Sequence, residues 1–340
     1  MAKKKILFIC GSLNQTSMMH QISKHFRDYD CCFTPYYADG FINYLVKKGH
    51  LKFSILNGIF RSNTEDYLRK NNLEIDYRGI KYSYDLVYTC ADLIMPKNIR
   101  SKKVILVQEG MTDPENLMFY LVKYLKLPRW FASTSAMGIS NQYTLFCVAS
   151  IGYKNFFIRK GAEPEKIIVT GIPNFDNIKQ FVNNNFPHKN FVLAATSDAR
   201  ETYKYENRKK FIRQCVKIAG GRKLIFKLHP NENIERATRE INRYAPGALV
   251  FTNGNTNQMI ANCDVLITKY SSVVYPGLAL GKKVYSAFDI DELKKLLPIQ
   301  NNGTSSEKIA LIGKQLLDEP NITLEDIHRM FDLNSRFHYK

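Results

Sequence analysis

The chain has 340 residues, 45% hydrophobic and 24% charged, a composition of ordinary globular proteins with apolar material for two cores. Its formal charge of +18 draws in polyanions such as nucleotide, anionic lipid or acidic glycan; without a nucleic-acid motif, nucleic acid is not expected among the partners. No apolar run approaches the roughly eighteen residues of a membrane span, so none is expected.

The first element follows Met1-Ala2-Lys3-Lys4-Lys5, where Ile6-Leu7-Phe8-Ile9 runs into a Gly-Ser-Leu-Asn turn. That run is too short for a signal peptide, and a first buried strand is expected over 5–10. Seven scattered cysteines without a C-x-x-C pair point to free core thiols, a reducing cytoplasm and no zinc site. Further strands are expected over 104–107, 144–149 and 166–170, with helices over 16–27, 64–71 and 114–125. The segment 174–190, with Asn183-Asn184-Asn185 and Pro187, lacks periodicity and reads as a linker. Beyond it, strands are expected over 191–195, 224–228, 248–251, 265–268 and 283–286, and helices over 206–219, 234–243, 257–262, 272–280 and 305–317. This alternation predicts an α/β chain of two tandem Rossmann-like parallel-sheet domains, 1–178 and 190–340, with a ligand cleft at the carboxyl ends of the strands.

Four loops after strands carry chemistry. Gly11-Ser12-Leu13-Asn14-Gln15-Thr16 lacks the dinucleotide fingerprint; Gly11 and Ser12 could hold a phosphate at a helix N-terminus, and a helix cap without ligand is the equal alternative. In Gln108-Glu109-Gly110-Met111-Thr112-Asp113, the Glu109 carboxylate at the end of a buried strand can take a proton from an attacking hydroxyl; the alternative is an ion pair with one of the many lysines. Asp39-Gly40 is a competing acid–glycine pair after a weaker strand. In Lys227-Leu228-His229-Pro230, proline ends the strand and leaves His229 to assist a departing phosphate, with Lys227 adding charge; a capping or core histidine is the plainer alternative. In Thr268-Lys269-Tyr270-Ser271-Ser272, the two serine hydroxyls suit a phosphate at a helix start or a simple N-cap.

Taken in order, Gln108-Glu109-Gly110, His229-Pro230 and Ser271-Ser272 resemble the motifs of GT-B glycosyltransferases that use cytidine-activated donors, the bacterial sialic acid and Kdo transferases. The resemblance implies Glu109 as general base, His229 assisting the leaving phosphate and the serines binding it. The second half also resembles the CDP-glycerol glycerophosphotransferases, through Lys227-Leu228-His229-Pro230, Tyr270-Ser271-Ser272 and Val169-Thr170-Gly171-Ile172-Pro173. Together these cover about residues 100–285. Gln108 stands where the first family has an acid, Lys269 where the second often has one, and the second family's His-Gly-Thr motif is absent.

The expectation is a cytoplasmic, metal-independent inverting glycosyltransferase without cofactor, moving a sugar from a nucleotide donor, cytidine-activated by the resemblance, to a cell-surface glycan or lipid-linked acceptor. A UDP-sugar 2-epimerase is the alternative, suggested by Arg200-Glu201-Thr202, with a CDP-polyol phosphotransferase and a nucleotide-sugar-binding protein without turnover behind it. Asp289-Ile290-Asp291 reads as a helix cap rather than a metal motif, and the seven histidines lack metal spacing. Residues 116–131 mix aromatics with Lys123, Lys126 and Arg129, which suits either a core-facing stripe or a peripheral contact with the membrane's inner face.

Overall fold

The computed structural model describes residues 3–51, 54–201 and 205–335. Its contacts divide the chain into two compact units, Met1–Asp176 with Gly303–Lys340, and Asn177–Asn302. The division falls inside the segment expected to be a linker.

The first unit holds a parallel sheet of β1 (Lys5–Ile9), β2 (Asp30–Thr34), β3 (Leu86–Thr89), β4 (Lys103–Val107), β5 (Leu145–Val148) and β6 (Ile167–Val169). Their spatial order is β2-β1-β3-β4-β5-β6. Helices α1 (Leu13–Ser23), α2 (Gly40–Lys47), α3 (Gly58–Lys70), α4 (Lys97–Arg100), α5 (Leu117–Leu125) and α6 (Ile151–Lys160) lie between strands. Leu86 to Tyr88 and Val104 to Val107 are wholly buried, because helices cover both faces of a parallel sheet and its strands become continuous apolar runs. The chain leaves β1 for β2 on one side and returns to β3 on the other, which puts a topological switch point beside the loop after β1.

The second unit is a parallel sheet of β7 (Val192–Ala195), β8 (Leu224–Lys227), β9 (Leu249–Phe251), β10 (Val265–Ile267) and β11 (Lys283–Tyr285), in the order β11-β10-β7-β8-β9. Its helices are α7 (Arg208–Ala219), α8 (Ile234–Tyr244), α9 (Thr256–Asn262), α10 (Val274–Ala279) and α11 (Ile290–Lys295). Val192, Ala194, Phe226 and Ile267 pack on Phe211, Ile212 and Ile241. The alternate residues Leu193, Ala195, Ile225 and Leu266 pack on Met259 and Ile260, as the two-residue period of a strand requires.

The sequence reading carries the second domain to residue 340, but from Gly303 onward the chain packs on the first unit. The helices concerned are α12 (Ser305–Asp318) and α13 (Leu324–Ser335). The Ser305 N–H donates to Asp176 Oδ2 at 2.8 Å, Tyr88 Oη to the Ile309 carbonyl at 3.1 Å, and Lys103 Nζ to the Leu316 carbonyl at 2.5 Å. A Cβ on Gly313 would stand 1.9 Å from Tyr88 Oη, so only glycine lets α12 lie this close to the sheet.

Candidate active site

In the first unit two of the four loops meet. Gln108 is buried and its amide is fully engaged: Oε1 accepts the Ala149 N–H at 2.9 Å and Nε2 donates to the Gly110 carbonyl at 2.9 Å. Gln108 is therefore a clasp at the end of β4, and the neutral amide suits that task better than the acid of the related motif. Glu109, the next residue, meets the start of α1. Ser12 Oγ donates to its Oε1 at 3.0 Å, Gln15 Nε2 to its Oε2 at 2.6 Å, and Asn14 Nδ2 approaches Oε1 at 3.5 Å. Ser12 also caps α1 by accepting the Gln15 N–H, and Asn174 Nδ2 donates to Asn14 Oδ1 at 3.0 Å. A Cβ on Gly11 would lie 2.4 Å from Gln15 Oε1, so the glycine makes room for the amide that holds Glu109.

Among the described residues no cation lies within ion-pair distance of Glu109, whose charge is met by neutral donors and the N-terminus of α1. At that helix start Ser12 donates to Glu109 and accepts the Gln15 N–H, beside Gly11. Oε2 accepts one bond and retains a lone pair for an incoming proton. The buried Cys90 thiol beside it is pushed well above its ordinary value, first by burial and then by the charge of Glu109. The competing acids are engaged elsewhere: Asp39 Oδ2 accepts the Lys97 N–H at 2.8 Å, and Asp113 Oδ2 accepts Thr134 Oγ1 at 2.9 Å.

In the second unit the loops after β10, β7 and β8 lie at one edge of the sheet, around the switch point between β7 and β10. His229 follows β8. Its Nδ1 accepts the Asn231 N–H at 3.3 Å and lies 3.6 Å from Asp198 Oδ2, which leaves Nε2 on a partly exposed ring to donate. Its backbone N–H donates to Thr196 Oγ1 at 3.1 Å and to Glu232 Oε2 at 2.9 Å. Glu232 is wholly buried and paired with Arg208, with Oε1 to Nη2 at 2.5 Å, and Thr196 Oγ1 also donates to it. Glu206 completes the buried pairs at 2.7 Å from Arg208.

Lys227 is held by backbone at this edge. Its buried Nζ donates to the carbonyls of Leu228 at 2.8 Å and Thr252 at 3.0 Å, tying β8 to the end of β9, and burial lowers its pKa. Lys269 turns to Glu206 at 3.5 Å and lies over the Phe211 ring. Ser271 and Ser272 are half-buried between β10 and α10; the Val273 N–H reaches Ser271 Oγ only at 3.5 Å, and the cap position of α10 is Val273. Arg200 forms a two-bond pair with Glu240, at 2.9 and 2.8 Å, and Glu201 accepts from Arg236; Thr202 lies outside the described residues. Asp289 caps α11 by accepting the Asp291 N–H at 2.8 Å. Among the described residues no group of three or more His, Cys, Asp or Glu is placed to hold a metal ion.

The supporting residues Gln15, Asp198, Arg208 and Glu232 were not among the expected site residues. Their only sequence signal is position, in the first turn of a helix or a few residues past a strand, and most of their partners are remote in the chain.

No protein-family model and no curated protein matches the chain in sequence. Solved structures do match. The S. aureus MnaA–UDP complex superposes with a TM-score of 0.56 at 13% identity, over 93% of this chain and 97% of that one. A Neisseria meningitidis UDP-GlcNAc 2-epimerase bound to UDP-GlcNAc gives 0.55 at 14%, over 93% and 100%. The fold is GT-B-like. The wall teichoic acid polymerase TagF with CDPG gives 0.51 at 14%, over 94% of this chain and 90% of that one. This GT-B-like chain therefore shares two parallel-sheet α/β domains with epimerases and a polymerase alike, and the finer likeness to sialic acid and Kdo transferases rests on its motifs alone.

Proposed function

We propose that this GT-B-like protein is an enzyme of nucleotide-activated sugars, a metal-independent inverting glycosyltransferase of surface-glycan assembly in the cytoplasm. The observation that carries the proposal is the Glu109 carboxylate, fixed by Ser12, Asn14 and Gln15 without a counter-charge. In this reading Glu109 takes the proton of an acceptor hydroxyl, whose oxygen attacks the anomeric carbon. The bond from that carbon to the phosphate oxygen breaks, and the nucleotide departs with the electron pair. His229 donates from Nε2 to the departing phosphate, and Ser271 and Ser272 hydrogen-bond it. Lys227 contributes indirectly, by fixing the strand end that presents His229.

A second reading, a sugar 2-epimerase, is favoured by the match to an epimerase bound to UDP-GlcNAc and by Arg200-Glu201 in the segment after β7. Epimerisation must break a carbon–hydrogen bond at C2, whereas transfer leaves that bond intact. Incubation with UDP-GlcNAc and with cytidine-activated sugars in deuterated water separates the two. Transfer predicts a sugar moved to the acceptor without deuterium at C2 and the nucleotide released, and Glu109→Gln lowers that release by about 10²–10⁴-fold. Deuterium at C2 of recovered UDP-GlcNAc establishes the epimerase instead. Full activity in Glu109→Gln removes the base assignment under either reading.

A further inference from the structure

The outer face of α5 is apolar, where a helix on a protein surface normally turns charged residues to water. Phe119 and Val122 face the core beside Ala132 and Ala136. On the other side Leu117 is 75% exposed, Tyr124 70% and Leu125 64%, with Tyr120 and Met118 also exposed. Leu127 and Phe131 extend the same surface into the following turn, where Trp130 stacks on Phe131. Within Leu117–Leu125 the one charge is Lys123. From Asn116 to Ala162 there is no acidic residue, against Lys123, Lys126, Lys154 and Arg159 outside the core; Glu115, just before the helix, accepts from Tyr120 Oη at 3.3 Å. Contiguous apolar surface bordered by an excess of basic residues marks a contact with a partner.

We infer that α5 and the turn after it seat the protein on an anionic lipid bilayer. Leu117, Tyr124, Leu125 and Phe131 enter the boundary between headgroups and acyl chains, and Lys123 and Lys126 meet the headgroup phosphates. The charge argues against a second copy as occupant, since a two-fold contact through this face would bring the lysines of both copies together. Arg129 takes no part: it is half-buried and donates from Nε and Nη2 to the Asp92 carbonyl, holding the turn. No helix among the described residues is long and apolar enough to cross a membrane, so the contact is peripheral. The inference stands apart from the transferase reading, although a lipid-carried acceptor would then meet the unit that carries Glu109.

Co-sedimentation of the full chain with phosphatidylcholine vesicles, with and without phosphatidylglycerol, tests it. Two variants accompany the wild type: Leu117→Ser/Tyr124→Ser/Leu125→Ser, and Lys123→Gln/Lys126→Asn. Asparagine tolerates the left-handed backbone of Lys126, φ 55°, so the second variant removes charge without straining the end of α5. The wild type should bind only vesicles with phosphatidylglycerol and be released by salt. The apolar variant should lose at least about tenfold in binding, and the lysine variant about 30-fold, with unchanged melting temperatures. The inference is wrong if the wild type binds neither vesicle, if it binds both equally, or if either variant binds as well as the wild type. It is also wrong if the wild type is a dimer that the apolar variant dissociates, since the face is then a self-interface.

Discussion

Lys160 is buried against the rings of Phe119, Phe156 and Phe157, and its Nζ donates to the Ser135 carbonyl. Burial lowers its pKa from 10.5 to about 8, with Glu115 and Asp92 opposing the shift. Between those two values the unfolded chain binds the proton and the folded chain does not, so this group makes stability rise with pH from about 8 to 10.5. Lys160→Met removes the dependence. Its melting temperature should exceed the wild type's at pH 7 and the gap should close toward pH 10; a constant gap would show that the ammonium is not penalised by burial. The same residue shows what sequence leaves illegible. Lys160 reads as one of many surface lysines, because nothing in its neighbourhood announces that its helix will turn it inward. The placement of Glu109 and His229 is legible for the opposite reason, since each follows an apolar strand at the carboxyl edge of a parallel sheet. Glu232 is not, because its importance comes from Arg208, 24 positions away, and from the His229 N–H.

At the scale of elements, all five strands of the second unit are present where expected, and four of six in the first. The two that escaped are β2 and β3: Asp-Cys-Cys-Phe-Thr opens on a charge and two thiols, and Leu-Val-Tyr-Thr ends on two residues with hydroxyl groups. Neither alternates between apolar and polar residues, and a short run without alternation carries no period to recognise. Helix α12 was expected at the right place but assigned to the wrong partner, because an amphipathic stripe says that a helix packs and not where. Its packing reverses an ordinary rule. Gly→Ala inside a helix normally gains about 1 kcal/mol, but at Gly313 the new Cβ would stand 1.9 Å from Tyr88 Oη and 3.0 Å from Leu86 Cδ2. Gly313→Ala should therefore lower the melting temperature, and the same change paired with Tyr88→Phe should recover part of the loss. A stabilised single variant would mean that α12 does not lie on this sheet.

At the scale of the whole molecule, the +18 charge and the GT-B-like pair of sheets suit an anionic, phosphate-bearing ligand, and the proposal stands or falls on whether one binds specifically. Charge alone would attract every nucleotide to a similar degree, whereas a built site distinguishes among bases. The site proposed here lies at the ends of β8 and β10, with His229 as its donor and Asp198, Glu232 and Arg208 behind it. Thermal shift of the wild type and of His229→Ala, with CMP, CDP, UDP, GDP and ADP at matched concentration, measures this directly. A pyrimidine nucleotide should stabilise the wild type most, by roughly 2.7 kcal/mol at about 100 times its dissociation constant, and His229→Ala should lose most of that shift. Equal shifts with all five nucleotides, a purine preference, or an undiminished shift in His229→Ala would contradict the account.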